Sequence, residues 1–244
     1  LFSATEFQTR EYLDIVRLRG LKNKKVFSIG YGKLEDLKST FDSYQKTNNL
    51  KPISAKSVLL APSWGKDNVI DSIGLELIGK ILKKGMILIL RPHPGFMIGT
   101  HPRLNQIIEK YSTHKNFVFE DPISSQDSLF YADLLISDYS GVALEFAYLR
   151  ELPVLYIDVE RKINNTDYKR HSSAAFEIDV RDKIGSLLVK DCDKIADQVE
   201  TMLFTSSDYK DKISNNLKST IYNGNRTIEH NMNNEIGDIR ELWL

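Results

Sequence analysis

Three turns in this chain carry residue types whose spacing suits phosphate chemistry. Ser137-Asp138-Tyr139-Ser140-Gly141 follows the apolar run Leu134-Leu135-Ile136 and leads into a helical pattern. A helix start offers free N–H groups and a partial positive charge, and both suit an anion. Gly141 lets a phosphate approach the backbone, the Ser140 hydroxyl adds a donor, and Asp138 belongs to the same turn. Glu145, one helical turn on, can accept from ribose hydroxyls. The plain alternative is an ordinary capped helix start, because Ser and Asp are common caps.

The second turn, Arg91-Pro92-His93-Pro94-Gly95, follows Met86–Leu90. Two prolines restrict the backbone around His93. Arg91 is a permanent cation with a fork of donors suited to phosphate. His93 can donate to a phosphate oxygen or act as acid or base, so it is the candidate catalytic residue. The third turn, Pro62-Ser63-Trp64-Gly65-Lys66, follows Val58–Ala61. Ser63 and the glycine let a loop touch a phosphate, while Trp64 reads equally well as packing.

These turns matter because of the elements that must position them. Apolar runs at 26–29, 57–61, 86–90, 116–119, 134–136 and 153–157 read as strands. Helical patterns at 69–84, 101–111, 125–132 and 141–149 alternate with the later strands. The series is βαβ, which implies an α/β fold with a doubly wound, Rossmann-like parallel sheet. In such sheets ligands sit beyond the carboxyl ends of the strands, where all three turns lie. Helical patterns also cover 5–19 and, late in the chain, 192–204, 207–222 and 227–242; residues 159–173 read as a polar loop. The polar stretch 47–56 is the best candidate boundary. It divides residues 1–50, a remnant of an N-terminal or linking region, from residues 51–244, a nucleotide-donor-binding Rossmann-like domain with extra C-terminal helices.

Composition excludes several functions. Lys plus Arg equals Asp plus Glu, 33 each, so no basic field exists to gather nucleic acid. The single cysteine forbids an intrachain disulfide and points to a reducing, cytoplasmic setting. No apolar run has the length of a membrane span, and the N-terminus has no signal-peptide pattern. Asp191-Cys192-Asp193 opens a helical pattern and reads as a cap, with Cys192 a passive thiol. Lys169-Arg170-His171-Ser172 reads as a solvated loop. No Walker loop, nucleophile elbow or His-Glu zinc motif is present, so neither metal nor cofactor is expected.

Taken in order, these residues resemble the CDP-glycerol glycerophosphotransferases of teichoic-acid and capsule synthesis. Ala61-Pro62-Ser63-Trp64 is similar to that family's Ala-Pro-Thr-Trp turn, and Arg91-Pro92-His93-Pro94 to its Arg-x-His-Pro motif. Leu129–Ser140 is close to the family signature before the donor-binding helix. Leu152–Tyr156 matches the strand after that helix, and Tyr222-Asn223-Gly224 falls at a late glycine turn. The resemblance implies the C-terminal, donor-binding half of a two-domain GT-B transferase. Arg91, His93, Ser140 and their neighbours would hold the donor's diphosphate. The partners implied are a CDP-glycerol or nucleotide-sugar donor and a polymer or lipid-linked acceptor, with peripheral membrane association through other regions.

The chain departs from the family at Ser140-Gly141, where Ser-Ser is usual, and at Glu145, where Asp is usual. Both features are closer to nucleotide-sugar enzymes and to UDP-sugar 2-epimerases. The family's Gly-Tyr-Pro-Arg-Asn-Asp segment corresponds to Gly30-Tyr31-Gly32-Lys33-Leu34-Glu35-Asp36. No His-Gly occurs, so the other catalytic histidine and the acceptor-side domain are expected outside this sequence. A UDP-sugar 2-epimerase-like enzyme and a non-catalytic nucleotide-binding or interaction module remain open.

Overall fold

The computed structural model describes residues 1–47, 55–160, 168–170, 175–224 and 226–236 of the 244-residue chain. It opens with β1 (Phe2–Ser3), α1 (Glu6–Leu18) and β2 (Phe27–Ser28), the two strands pairing in parallel, and continues with α2 (Gly32–Thr47). The alternating series follows: β3 (Ser57–Leu60), α3 (Leu75–Lys83), β4 (Ile87–Leu90), α4 (Pro102–Tyr111), β5 (Phe117–Phe119), α5 (Ser128–Tyr131), β6 (Leu134–Ser137), α6 (Val142–Arg150) and β7 (Val154–Ile157). After it come α7 (Phe176–Asp179), α8 (Arg181–Ile184), β8 (Gly185–Leu188), α9 (Cys192–Phe204), α10 (Lys210–Thr220) and α11 (Ile228–Ile236).

Six strands form one parallel sheet in the order β5-β4-β3-β6-β7-β8. Counted in chain order, this is the arrangement of dinucleotide-binding folds, with its switch point between the first and fourth strands, here β3 and β6. Both faces are apolar because both are covered. Val58, Leu60, Leu88, Leu90, Leu134, Ile136, Leu155 and Ile157 face α3, α4 and α9. The alternating partners Leu59, Ile89, Leu135, Val154 and Tyr156 face α2, α5, α6, α8 and α10. That period of two, apolar on both sides, is what burial in a doubly wound sheet demands.

Several elements differ from the sequence reading. The 69–84 pattern starts as a π-helical turn, Ile70–Gly74, before α3. The 125–132 pattern is shortened to α5, entered through the Ser125 hydroxyl, which accepts from Asp127 N–H at 3.1 Å, and the Glu120 carboxylate, which accepts from Ser128 N–H at 2.9 Å. Helices α2, α7 and α8 and the edge strand β8 were not anticipated. Of the expected loop at 159–173, residues 168–170 form a 3₁₀ turn, and 161–167 and 171–174 lie outside the described residues. The last helical pattern is described only to Ile236. Asp191 does cap α9, accepting from the Lys194 N–H at 3.1 Å, and that bond holds its carboxyl below the usual range.

The opening segment is tied to the far end of the chain. Tyr222 N–H donates to Ala4 O at 3.0 Å, and Asn223 Oδ1 accepts from Tyr31 N–H at 2.9 Å. Asn231 donates to Ile29 O at 3.0 Å, and Glu35 accepts from Asn223 Nδ2 and from Ile228 N–H at 3.2 and 3.0 Å. Gly30 is needed here twice over. Its φ is +108°, and a Cβ would lie 2.3 Å from Asn223 Oδ1. Gly30→Ala is therefore expected to lower stability by about 2 kcal/mol in urea unfolding. Adding Asn223→Ala should not restore it, since the strained φ remains.

Burial also sets an alkaline limit. Tyr31, Tyr148 and Tyr156 have hydroxyls pushed above the normal range by burial, and Tyr131 is pushed up to about 12 by the same cause. A phenol with a raised folded pKa stabilises the fold fully below the unfolded value of 10.0, and that contribution fades as pH rises past it. Ultraviolet titration should show the exposed tyrosines ionising near the normal value. These four should ionise only together with loss of secondary structure, and independent ionisation near the normal value would contradict this reading.

Candidate functional site

The carboxyl ends of β3 and β6 are joined by buried polar groups. The Ser137 hydroxyl, fully buried, donates to Ala61 O at 2.8 Å. Asp138, 1% exposed, accepts with Oδ1 from Ser63 N–H at 2.7 Å and from Tyr139 N–H at 2.6 Å. Ser63 and Asp138 are thus brought together at the switch point. Asp138 Oδ2 is buried with no hydrogen-bond partner among the described residues.

Because Asp138 turns toward β3, it does not cap α6. Gly141 occupies the N-cap position and no side chain bonds to the first turn. Ala143 N–H and Leu144 N–H reach back to Ser140 O and Gly141 O, both at 3.1 Å. The N–H groups of Gly141 and Val142 have no protein acceptor among the described residues, so the positive end of α6 is open. Gly141 has an ordinary φ of −61°, and a Cβ there would meet nothing within 4 Å. The fold itself therefore does not require glycine at 141. The space beside it belongs to a cleft of about 650 Å³, walled by Thr5, Tyr31, Tyr148, Phe176 and Glu177.

Glu145 is placed differently from Ser140 and Gly141. It is 4% exposed, accepts from the Tyr31 hydroxyl at 2.7 Å and pairs with Lys33 Nζ at 2.8 Å. Burial and the Glu145 carboxylate both push the Tyr31 hydroxyl up. The carboxylate thus fastens the opening segment to α6 and sets one wall of the cleft. Tyr31 was visible in the sequence only as part of a motif with a changed ending.

Arg181 was missed altogether. It is 5% exposed and lies over the Tyr139 and Tyr156 rings, 4.0 and 5.1 Å from their centres. It donates to Asp138 O at 3.1 Å and to Glu177 O at 3.2 Å. A buried guanidinium thus supports the 137–141 turn from behind and ties it to the cleft wall. In sequence it is one charge among Arg181-Asp182-Lys183, indistinguishable from a solvated run.

The second turn splits. Arg91 directs its guanidinium into the loop after β5, with Nε 3.0 Å from Glu120 Oε2 and Nη2 donating to the carbonyls of Pro122 and Ser125, both at 3.3 Å. Asp121 closes that loop by accepting from Ile123 N–H and the Ser124 hydroxyl. His93 stays at the end of β4, where its Nδ1 accepts from Gly95 N–H at 3.0 Å. The Trp64 indole stacks on it with ring centres 5.7 Å apart and planes 12° apart. The second and third turns are thereby joined through an aromatic pair. Cys192 is buried, and burial pushes its thiol up to about 11. Among the described residues no cluster of His, Cys, Asp and Glu could hold a metal ion, and no helix is long and apolar enough to cross a membrane.

Comparison with known proteins agrees with this fold. The chain is 25% identical over 218 residues to the minor teichoic acid biosynthesis protein GgaB of Bacillus subtilis strain 168, covering 77% of this chain and 23% of GgaB. Its fold matches the wall teichoic acid polymerase TagF with a TM-score of 0.57 at 17% identity, over 99% of this chain and 57% of TagF. It also matches the UDP-GlcNAc 2-epimerase of Methanocaldococcus jannaschii, solved with UDP-GlcNAc and UDP, with a TM-score of 0.56 at 19% identity, over 83% of this chain and 54% of the epimerase. The chain therefore spans under a quarter of GgaB and little more than half of the two solved structures. The sequence model for CDP-glycerol:poly(glycerophosphate) glycerophosphotransferases matches residues 2–223. With nearly its whole length matched, and the motif-bearing turns at the carboxyl edge of one parallel sheet, this chain belongs to that glycerophosphotransferase family.

Proposed function

We propose that this chain is the donor-binding half of a GT-B-type transferase that moves glycerol phosphate from CDP-glycerol to a cell-envelope polymer. The observation that carries the reading is the uncapped start of α6, opening with Gly141 onto a cleft of about 650 Å³. A diphosphate placed there takes the two free N–H groups and the Ser140 hydroxyl, and an open space at Gly141 lets it come close. His93, at the end of β4 two strands from β6, is assigned a further donor role. Arg91 contributes its charge and shapes the 121–125 loop, where backbone groups can read the base. Glu145 acts through Tyr31 and Lys33, by holding the cleft wall.

In the intact enzyme an acceptor hydroxyl attacks the donor's β-phosphorus. A new oxygen–phosphorus bond forms, the bond to the bridging oxygen breaks, and CMP leaves. The acceptor's proton goes to a base outside this sequence. Such a transfer depends on positioning and charge neutralisation more than on covalent help. Residues 1–50 are assigned to the region linking this half to the acceptor-side domain. The setting is the cytoplasmic side of the envelope, with membrane contact made by other parts of the protein.

One observation favours a different donor. Ser140-Gly141 with Glu145 is the pattern of nucleotide-sugar enzymes, and a sugar donor would release a nucleoside diphosphate from the same groups. Calorimetric titration with CDP-glycerol, CMP and UDP-GlcNAc decides between them. CDP-glycerol and CMP are expected to bind, and Ser140→Ala or Arg91→Ala should each weaken binding about tenfold or more. Gly141→Val should abolish binding while leaving the melting midpoint unchanged, because the added side chain enters open space. Tighter binding of UDP-GlcNAc than of either cytidine compound would favour the sugar reading. No binding at about 1 mM of any of them would sink the donor site.

A further inference from the structure

A second cavity lies on the face of the sheet opposite α6. It is a groove of about 620 Å³ between α3 and α4. Both helices follow strands of the parallel sheet, so both start at its carboxyl edge and run side by side toward the other edge. The groove follows α3 from Ile73 to Lys83, a length of roughly 15 Å. Tyr111 closes its floor: the ring is buried, and its hydroxyl donates to Leu75 O at 2.8 Å. Gly79 makes room for that bridge, since a Cβ there would lie 2.6 Å from the Tyr111 hydroxyl.

The walls carry four permanent cations, Lys80, Lys83, Arg103 and Lys110, against one carboxylate, Glu76. Asp193 engages Lys80 at 2.6 Å. Arg103 bonds only the neutral Gln106 side chain, at 2.8 Å, and Lys110 Nζ lies over the Tyr111 ring at 5.2 Å. Among the described residues Lys83, Arg103 and Lys110 have no carboxylate partner, whereas Lys84, next to Lys83 in sequence, has two. The formal charges of the whole chain cancel, so this excess is local. Unpaired cations around a pinned, concave floor suit an elongated anion, and the floor decides which. No large apolar side chain projects from the groove, so it lacks the groups that enter a bilayer. Nucleobases find no exposed Phe, Tyr or Trp ring there to stack on.

We propose that this groove binds a phosphodiester chain whose links are short polyol units, of the poly(glycerophosphate) kind; the choice of polymer rests on the transferase reading above. The cations take successive phosphates, and the short carbon links cross the floor. Because the groove starts at the sheet edge that carries the donor turns, it holds a growing chain on the protein between additions.

Fluorescence anisotropy with an end-labelled glycerol phosphate oligomer long enough to span the groove tests this. The oligomer should bind the wild-type chain and be released as salt rises. Lys83→Glu combined with Lys110→Glu should weaken binding about tenfold or more, with the melting midpoint and the calorimetric CMP affinity near wild type. An oligothymidylate of equal charge and vesicles of pure phosphatidylglycerol should bind more weakly. No binding of the glycerol phosphate oligomer, or unchanged binding in the double variant, overturns the proposal. Equal or tighter binding of the oligothymidylate or the vesicles through the same two lysines overturns the assignment to a polyol phosphate chain. If CMP fails to bind while the oligomer binds through these lysines, the donor reading falls and the groove stands.

Discussion

The bridge made by Asp138 is the constraint on which the site depends. Its carboxylate takes backbone N–H groups from Ser63, after β3, and from Tyr139, after β6. Those strands are neighbours in space but far apart in sequence, and the sheet's connections diverge between them. A buried carboxylate that accepts two N–H bonds is held in one geometry, and it holds the turns in register with each other. By turning toward β3 it also abandons the helix that follows. The open end of α6 is thus a consequence of how the two strands are joined. A cap from Asp138 would close the helix and leave the β3 turn untethered.

A second layer supports the first. Arg181 braces the same turn through Asp138 O and two tyrosine rings, while Glu145 draws Tyr31 and Lys33 onto α6. Charges that a reader of the sequence would assign to ligand or solvent are instead absorbed by the fold. Arg91 behaves the same way, shaping the loop after β5 through Glu120 and two carbonyls. What stays open among the described residues is the first turn of α6, where the N–H groups of Gly141 and Val142 have no protein acceptor.

Much of this was legible beforehand, and for a physical reason. Strands buried on both faces must be apolar throughout, so Leu134–Ile136 and Met86–Leu90 announce themselves, and parallel topology places the turns after them at one edge. The family motifs fall on those same turns. Strand β8 was harder to see. Gly185-Ser186-Leu187-Leu188 is an edge strand, short and half exposed, and it lacks the continuous apolar signal of its neighbours. Helix α2 was hidden by a polar composition, since only Leu34 and Leu37 are buried from it. The partners of Glu145 and the role of Arg181 depend on contacts between residues far apart in sequence, 114 positions in the case of Tyr31 and Glu145. No local pattern encodes such a pair.

The stitching of the opening segment to residues 221–231 bears on how the protein is made. Tyr31 and Asn223 are 192 positions apart, and Ile29 and Asn231 are 202 apart. A ribosome emits the first of each pair long before the second. During synthesis the sheet and the 137–141 turn can assemble while the wall containing Thr5 and Tyr31 still lacks the segment that secures it. The cleft beside Gly141 therefore gains its full support only after residues 221–231 have been made. Closure of its longest loops comes last, when the stable sheet already lies beneath it. A nascent chain released early would keep its sheet and lose its cleft.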